Sequence, residues 1–167
     1  MTVYFVRTAG ARDMAAVGEL LRETWHATYD PIHGAERVAA ITTDRHGEAV
    51  LRARLSEPDT EFLVADDGTR LGGMAFARAS AGDRTLVTLH QLYVRPEAQG
   101  QGIGTDLLGE IAGCFPQATR IRVEVDEANA RAIGFYVSQG FAQVGRSDDG
   151  SGLPAVVLER PLGAFDA

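Results

Sequence analysis

The chain has one cysteine, Cys114, so an intramolecular disulfide and a cysteine-rich metal site are both excluded. A reducing compartment suits that composition, and a cytoplasmic protein is expected. Long apolar runs are lacking too. No stretch approaches a membrane span, and residues 1–7 carry neither a basic leader nor a small-residue cleavage site. No membrane partner is expected. Basic blocks are equally scarce: with 23 acidic and 16 basic residues the formal charge is -7, which argues against a nucleic-acid binder that works by neutralising phosphates. A cationic partner is compatible with this balance, although such a charge also serves solubility alone. The four histidines have no characteristic ligand spacing with acids or cysteines, so no metal is expected either.

What is present is an ordinary globular composition, 45% hydrophobic and 23% charged, in 167 residues, which suits one domain spanning 1–167. A β-rich run at 2–7 predicts a first strand. Over 13–29 the apolar positions Met14, Val17, Leu20, Leu21 and Trp25 recur at helical spacing, and Pro31 is expected to end that helix. A short helical piece at 36–41 and a better one at 44–55 follow, the latter with Val50, Leu51 and Leu55 on one side. Strands are predicted at 61–65, 71–79 and 85–94, separated by turns at Asp66-Asp67-Gly68 and Ala81-Gly82-Asp83. The remainder alternates: helix 102–114, strand 120–125, helix 129–138, and strands 141–144 and 155–158. This order predicts an α/β protein of α+β type, a mixed and mostly antiparallel sheet of six to seven strands flanked by helices.

Gly100, Gly102 and Gly104 stand at alternate positions where a loop enters the helix at 102–114. Unpaired N–H groups and a partial positive charge make a helix N-terminus suited to phosphate, and absent side chains allow close approach. A flexible loop before an ordinary helix is the plain alternative. A P-loop is excluded, because Gly104 is followed by Thr105-Asp106 and no lysine occurs in the stretch. The dinucleotide fingerprint also fails: counted from Gly100 its last glycine position is Thr105, and residues 95–99 separate it from the strand. Glu124, about twenty residues on, mimics the ribose-binding acid of that fingerprint and keeps it as a minor rival.

The string Leu92-Tyr93-Val94-Arg95-Pro96-Glu97-Ala98-Gln99-Gly100-Gln101-Gly102-Ile103-Gly104-Thr105-Asp106-Leu107-Leu108 resembles the central motif of the GCN5-related N-acetyltransferase (GNAT) superfamily. There a strand ending in valine and a proline loop lead to Gln/Arg-x-x-Gly-x-Gly/Ala at the head of a helix. The family's second motif is matched by Asn129-Ala130-Arg131-Ala132-Ile133-Gly134-Phe135-Tyr136-Val137-Ser138-Gln139-Gly140-Phe141. The resemblance covers the chain from residue 61 onward. It implies the acyl-CoA N-acyltransferase fold, acetyl-CoA as co-substrate, and acetyl transfer to a primary amine.

By the same resemblance, backbone groups of Leu92, Tyr93 and Val94 meet the pantetheine arm, and Gln99, Gly100, Gln101, Gly102, Ile103, Gly104 and Thr105 hold the pyrophosphate. Asn129 would bind the pantetheine or a neighbouring water, although an N-cap role alone also explains it. Tyr136 lies two helical turns further on the same side and would be the general acid, against the usual fate of a core aromatic. Its reference pKa of about 10 exceeds the roughly 8.5 of a thiol, so full proton transfer to a departing thiolate is uphill by about 2 kcal/mol.

An amine must be neutral to attack, which requires a base. Glu124 is the candidate: Arg122, Glu124 and Asp126 alternate with apolar residues and share one strand face. A solvated face with an Arg122 to Glu124 interaction is the alternative. His90 lacks a visible orienting carboxylate, and Cys114 reads as a small apolar residue rather than a nucleophile, so direct transfer without an acyl-enzyme is preferred. The region before residue 61 shapes the acceptor pocket in similar enzymes; here Glu23, Trp25 and Tyr29, with His26, Asp30 and His33, are the candidate substrate residues. The acidic balance tilts the expected acceptor towards a small cationic amine. Similar enzymes are often homodimers. The alternatives are a coenzyme A-binding sensor or interaction module without efficient transfer, and a dinucleotide-binding oxidoreductase.

Overall fold

A computed structural model describes residues 2–148 and 153–163, and among them seven strands and five α-helices follow one another in nearly the expected order. Strand β1 (Phe5–Thr8) leads to helices α1 (Met14–His33), α2 (Ala35–Arg45) and α3 (Glu48–Arg54). Strands β2 (Thr60–Asp66), β3 (Leu71–Ser80) and β4 (Asp83–Val94) come next, then α4 (Ile103–Gly113), β5 (Arg120–Asp126), α5 (Ala130–Ser138), β6 (Ala142–Asp148) and β7 (Pro154–Pro161). The sheet order is β1-β2-β3-β4-β5-β7-β6, with β4 and β5 parallel and every other pair antiparallel. No helix among the described residues is long and apolar enough to cross a membrane.

α2, β6 and β7 are longer than the expected 36–41, 141–144 and 155–158, and three further boundaries differ for reasons visible in the packing. Pro31 does not end α1 but lies within its last turn. Only one N–H is lost there, and His33 beyond it is held by Asp126 (Nε2 to Oδ2, 2.7 Å) and by stacking on Tyr29 at 5.7 Å. Gly34, with φ +87°, ends the helix instead. The helix expected at 44–55 is broken at His46-Gly47, because His46 turns into the interior; Leu51 is buried whereas Val50 is exposed. β1 runs over Phe5–Thr8 rather than 2–7, since its extent is set by pairing with Leu63 to Asp66 on β2.

The middle strands are buried on both faces, which is why they read as continuous apolar runs. On one face Phe62, Val64, Met74 and Phe76 meet Met14, Val17, Leu20 and Leu21 of α1 and Leu51 of α3. On the other, Ala65, Ala75, Ala77 and Ala79 are small enough for α4 to lie close, with Ile103, Leu107, Leu108 and Ile111 above them. Gly73 completes that approach: a Cβ there would sit 3.1 Å from both Ile103 Cγ2 and Leu107 Cδ1. Each fully buried leucine or isoleucine contributes about 1.5–3 kcal/mol.

His46 is 2% exposed, and burial first, then the nearby Arg54, Arg45 and Arg22, push its pKa down from 6.5 to about 4. Above pH 6.5 both folded and unfolded forms hold a neutral imidazole, so nothing is gained or lost there. Between 6.5 and about 4 the unfolded chain takes up a proton that the folded one refuses, and stability falls by about 3 kcal/mol at most. Urea midpoints measured from pH 7 to pH 4.5 should drop steeply, and His46→Gln should flatten that slope. An equal slope in both proteins would show that other groups carry the acid sensitivity.

Candidate active site

Beyond the middle of the sheet β4 and β5 part company. They pair from Leu86↔Arg120 to Leu89↔Val123, and no further pair is formed. At this point β4 carries a bulge: Phe76 opposes Gln91 and Ala77 opposes Leu89, which leaves His90 as the extra residue. The insertion reverses the side-chain alternation. Val87 and Leu89 lie in the core beneath α4 and α5, and past the bulge Leu92 and Val94 return to that side while Gln91 and Tyr93 face the other. Along 92–94 the only strand paired with β4 is β3, so among the described residues its edge towards β5 meets no strand and only the Val94 carbonyl is taken, by Gln99.

The glycine loop follows a 3-10 turn, Pro96–Ala98, and enters α4. Gly100 and Gly102 have φ +81° and +83°, a region that disfavours other residues, and a Cβ at either would meet nothing within 4 Å. Open space therefore stands over a backbone that only glycine adopts readily. Gly104 is needed for another reason: a Cβ there would press on the Phe135 ring at 3.3 Å. No side chain caps α4, and Asp106 is the first residue whose N–H reaches back, to Gly102 at 3.0 Å. The N–H groups before it point out of the helix end, as an anion site requires. Gln99 Nε2 donates to the Val94 carbonyl at 3.0 Å and Thr105 Oγ1 accepts from Gln139 at 3.2 Å, so both ends of the loop are tied down.

Asn129 caps α5, with Oδ1 accepting the Ala132 N–H at 3.1 Å, while its Nδ2 donates to the Tyr29 hydroxyl at 3.1 Å. The amide thus joins α1 to α5 across the sheet end. Tyr136 is 5% exposed, edge-on to Phe135 and Phe141 at 5.2 Å, and its burial raises the hydroxyl's pKa well above the usual range. Burial acts on Tyr93 in the same direction.

On the opposite side of the splay a cleft of about 520 Å³ opens between the helices of the N-terminal region and strands β4 and β5. Trp25 and Tyr29 of α1 line it, as do Arg122, Glu124 and Asp126 of β5. Arg122 does not pair with Glu124: it binds Glu159 on β7, with Nε at 2.7 Å and Nη2 at 2.6 Å. Asp126 is held by His33 and by the Ala128 N–H at 2.9 Å. That leaves Glu124, whose exposed side chain has no hydrogen bond or ion pair among the described residues. Glu23 is absent from the cleft lining; it forms an ion pair with the buried Arg95 and lies 3.7 Å from Arg70. His26 and Asp30 pair with each other at 2.7 Å. Cys114 is half-buried against the α4 core, and burial raises its thiol pKa.

Sequence reasoning missed His46, Arg54 and Gln91, which form one wall of the cleft. Arg54 donates to Gln91 Oε1, and Gln91 Nε2 lies 3.2 Å from His46 Nε2. Nothing in the local pattern marks Arg54, which follows Arg52 on an otherwise ordinary amphipathic helix.

A family model for the acetyltransferase (GNAT) domain matches residues 29–160. The peptidyl-lysine N-acetyltransferase YjaB of Salmonella typhimurium is 38% identical over 150 residues, 84% of this chain and 88% of that protein. The chain belongs to the GNAT acetyltransferase family. It is accordingly an acyltransferase, and acetyl transfer to an amine is the activity general to GNAT proteins. The phosphinothricin N-acetyltransferase of Alcaligenes faecalis is 32% identical over 126 residues, 68% of this chain and 63% of that one. Among solved structures, PaiA N-acetyltransferase from Thermoplasma acidophilum in complex with coenzyme A has the same fold, with a TM-score of 0.84 at 24% identity, covering 95% of this chain and 98% of that one. The seven-stranded sheet and its helices are thus the acyl-CoA N-acyltransferase fold of GNAT proteins. Because the named acceptors of its relatives differ, membership of the GNAT family leaves the acceptor open.

Proposed function

We propose that the protein transfers the acetyl group of acetyl-CoA to the primary amine of a small acceptor by direct attack. The observation that carries this reading is the gap beyond Leu89↔Val123, which has the glycine-headed helix α4 to one side and, to the other, a cleft containing a carboxylate unpaired among the described residues. Backbone N–H groups at the start of α4 would hold the pyrophosphate, and the open β4 edge at Leu92, Tyr93 and Val94 would receive the amide groups of the pantetheine arm. With the donor in place the chemistry supplied is a thioester, whose carbonyl carbon accepts the amine.

Glu124 takes a proton from the ammonium form so that the neutral nitrogen can attack. The new C–N bond forms as the C–S bond breaks, the second proton shed by the nitrogen passes through solvent to the free thiolate, and Tyr136 donates a hydrogen bond to the departing sulfur. The buried phenol holds its proton tightly, so stabilisation of the thiolate by that bond outweighs complete transfer. Asn129, engaged with the α5 backbone and Tyr29, sets the position of Tyr29 at the rim of the cleft.

Thiol release from acetyl-CoA, followed with a panel of small amines, polyamines and lysine peptides, tests the reading. Release that depends on one class of small amine is the expected result. Release with lysine peptides alone would overturn the small-acceptor assignment, and no amine-dependent release would overturn transfer itself. The chain contains no lysine, so its own side chains offer no competing primary amine.

A further inference from the structure

The two walls of the cleft differ in sign. β5 presents Glu124, its neighbours Arg122 and Asp126 being bound to Glu159 and His33, while the wall built from α2, α3 and β4 presents Arg45 and Arg54, the latter half-buried beside Gln91 and His46. Arg54 forms no ion pair with any carboxylate among the described residues. Its contacts are neutral: Nη1 on Gln91 Oε1, Nη2 on the Arg45 carbonyl at 3.5 Å, and the face of the Phe76 ring at 5.4 Å. These contacts leave most of the five guanidinium donors unspent.

Its surroundings hold the group in place. A guanidinium only donates, so Gln91 must turn Oε1 to Arg54 and Nε2 to His46. His46 Nε2 then accepts, which puts its proton on Nδ1, and the neutral ring adds no competing charge. A positioned, partly dehydrated arginine with no counter-ion among the described residues is the arrangement that binds an oxyanion strongly. A cleft of about 520 Å³ accommodates a molecule of amino-acid size between Arg54 and Glu124.

From this juxtaposition we infer that the acceptor is a small amine that also carries an acidic group, with Arg54 binding the oxyanion and the amine directed to Glu124. The inference rests on the acetyl-transfer reading for the role of Glu124, but not for the binding of the acid. It also reverses the expectation from the chain's net charge, which describes the whole surface and not the sign of this wall.

The test uses matched probes: α-amino acids, ω-amino acids and aminoalkyl phosphonates, each beside the amine lacking the acidic group. In the intact 167-residue chain kcat/KM for the acidic member should exceed that of its partner at least tenfold, chiefly through KM. Arg54→Gln should bring this ratio close to one, Arg54→Lys should restore only part of it, and Arg84→Gln, at the exposed start of β4, should leave it unchanged. The most favoured acid distinguishes carboxylate from phosphonate. A wild-type preference for the unsubstituted amines or for polyamines would overturn the inference, and so would an equal fall for both members in Arg54→Gln. Calorimetric binding of the acidic probes without acetyl-CoA separates the two readings. Arg54-dependent binding without turnover would support the anion site while removing the transfer reading, whereas turnover without acid preference would do the reverse.

Discussion

Replacing Tyr136 by phenylalanine should lower kcat by about a hundredfold, the scale seen when one donor to a developing negative charge is removed. Affinity for acetyl-CoA should change little. The hydroxyl is the only atom lost, the ring remains between Phe135 and Phe141, and the proposed pyrophosphate contacts lie on another helix. Burial has two consequences here. It excludes water, so the sulfur has few other donors, and it raises the phenol's pKa so that the neutral donor dominates throughout the working pH range. The loss should therefore be nearly constant with pH. Rapid-mixing kinetics would check this, since a burst of thiol or an unchanged kcat in Tyr136→Phe would remove the residue from the chemical step.

Glu124→Gln should have an effect of similar size at neutral pH but a different pH signature. The side chain is exposed, carries no bond to the described residues and stands where β5 is paired with β7 alone, so the substitution should leave stability nearly unaltered. A general base contributes about a hundredfold or more where the amine is mostly protonated. As pH rises past the amine's own pKa the neutral form becomes abundant without help, and the ratio of wild type to variant should shrink towards one. Profiles of kcat/KM from pH 6 to pH 10 measure this directly. A ratio independent of pH would assign Glu124 to binding rather than to proton removal.

Much of this arrangement is legible in the chain because it depends on local chemistry. The glycines that enter α4 announce a helix end with exposed N–H groups, Asn129 announces a cap, and the alternation around Glu124 places three polar residues on one face of a strand. Less legible was the reason for each glycine: Gly100 and Gly102 serve positive φ, whereas Gly104 makes room for Phe135. Pro31 was misleading because a proline's cost in a last helical turn is small enough for His33 and Asp126 to offset it. Glu23 shares a helix with Trp25 and Tyr29 yet faces Arg95, a partner 72 residues away.

By itself, then, the sequence determined the order of elements, the resemblance to GNAT acetyltransferases and the helix end suited to phosphate, all of which are encoded in contiguous residues. Only the tertiary structure decided where β4 leaves β5, because the bulge at His90 is a mismatch between two strands and has no signature in either. It also decided the sign of the cleft wall formed by α3 and β4. Arg54, Gln91 and His46 come from separate segments, and their common orientation follows from packing against the sheet rather than from spacing.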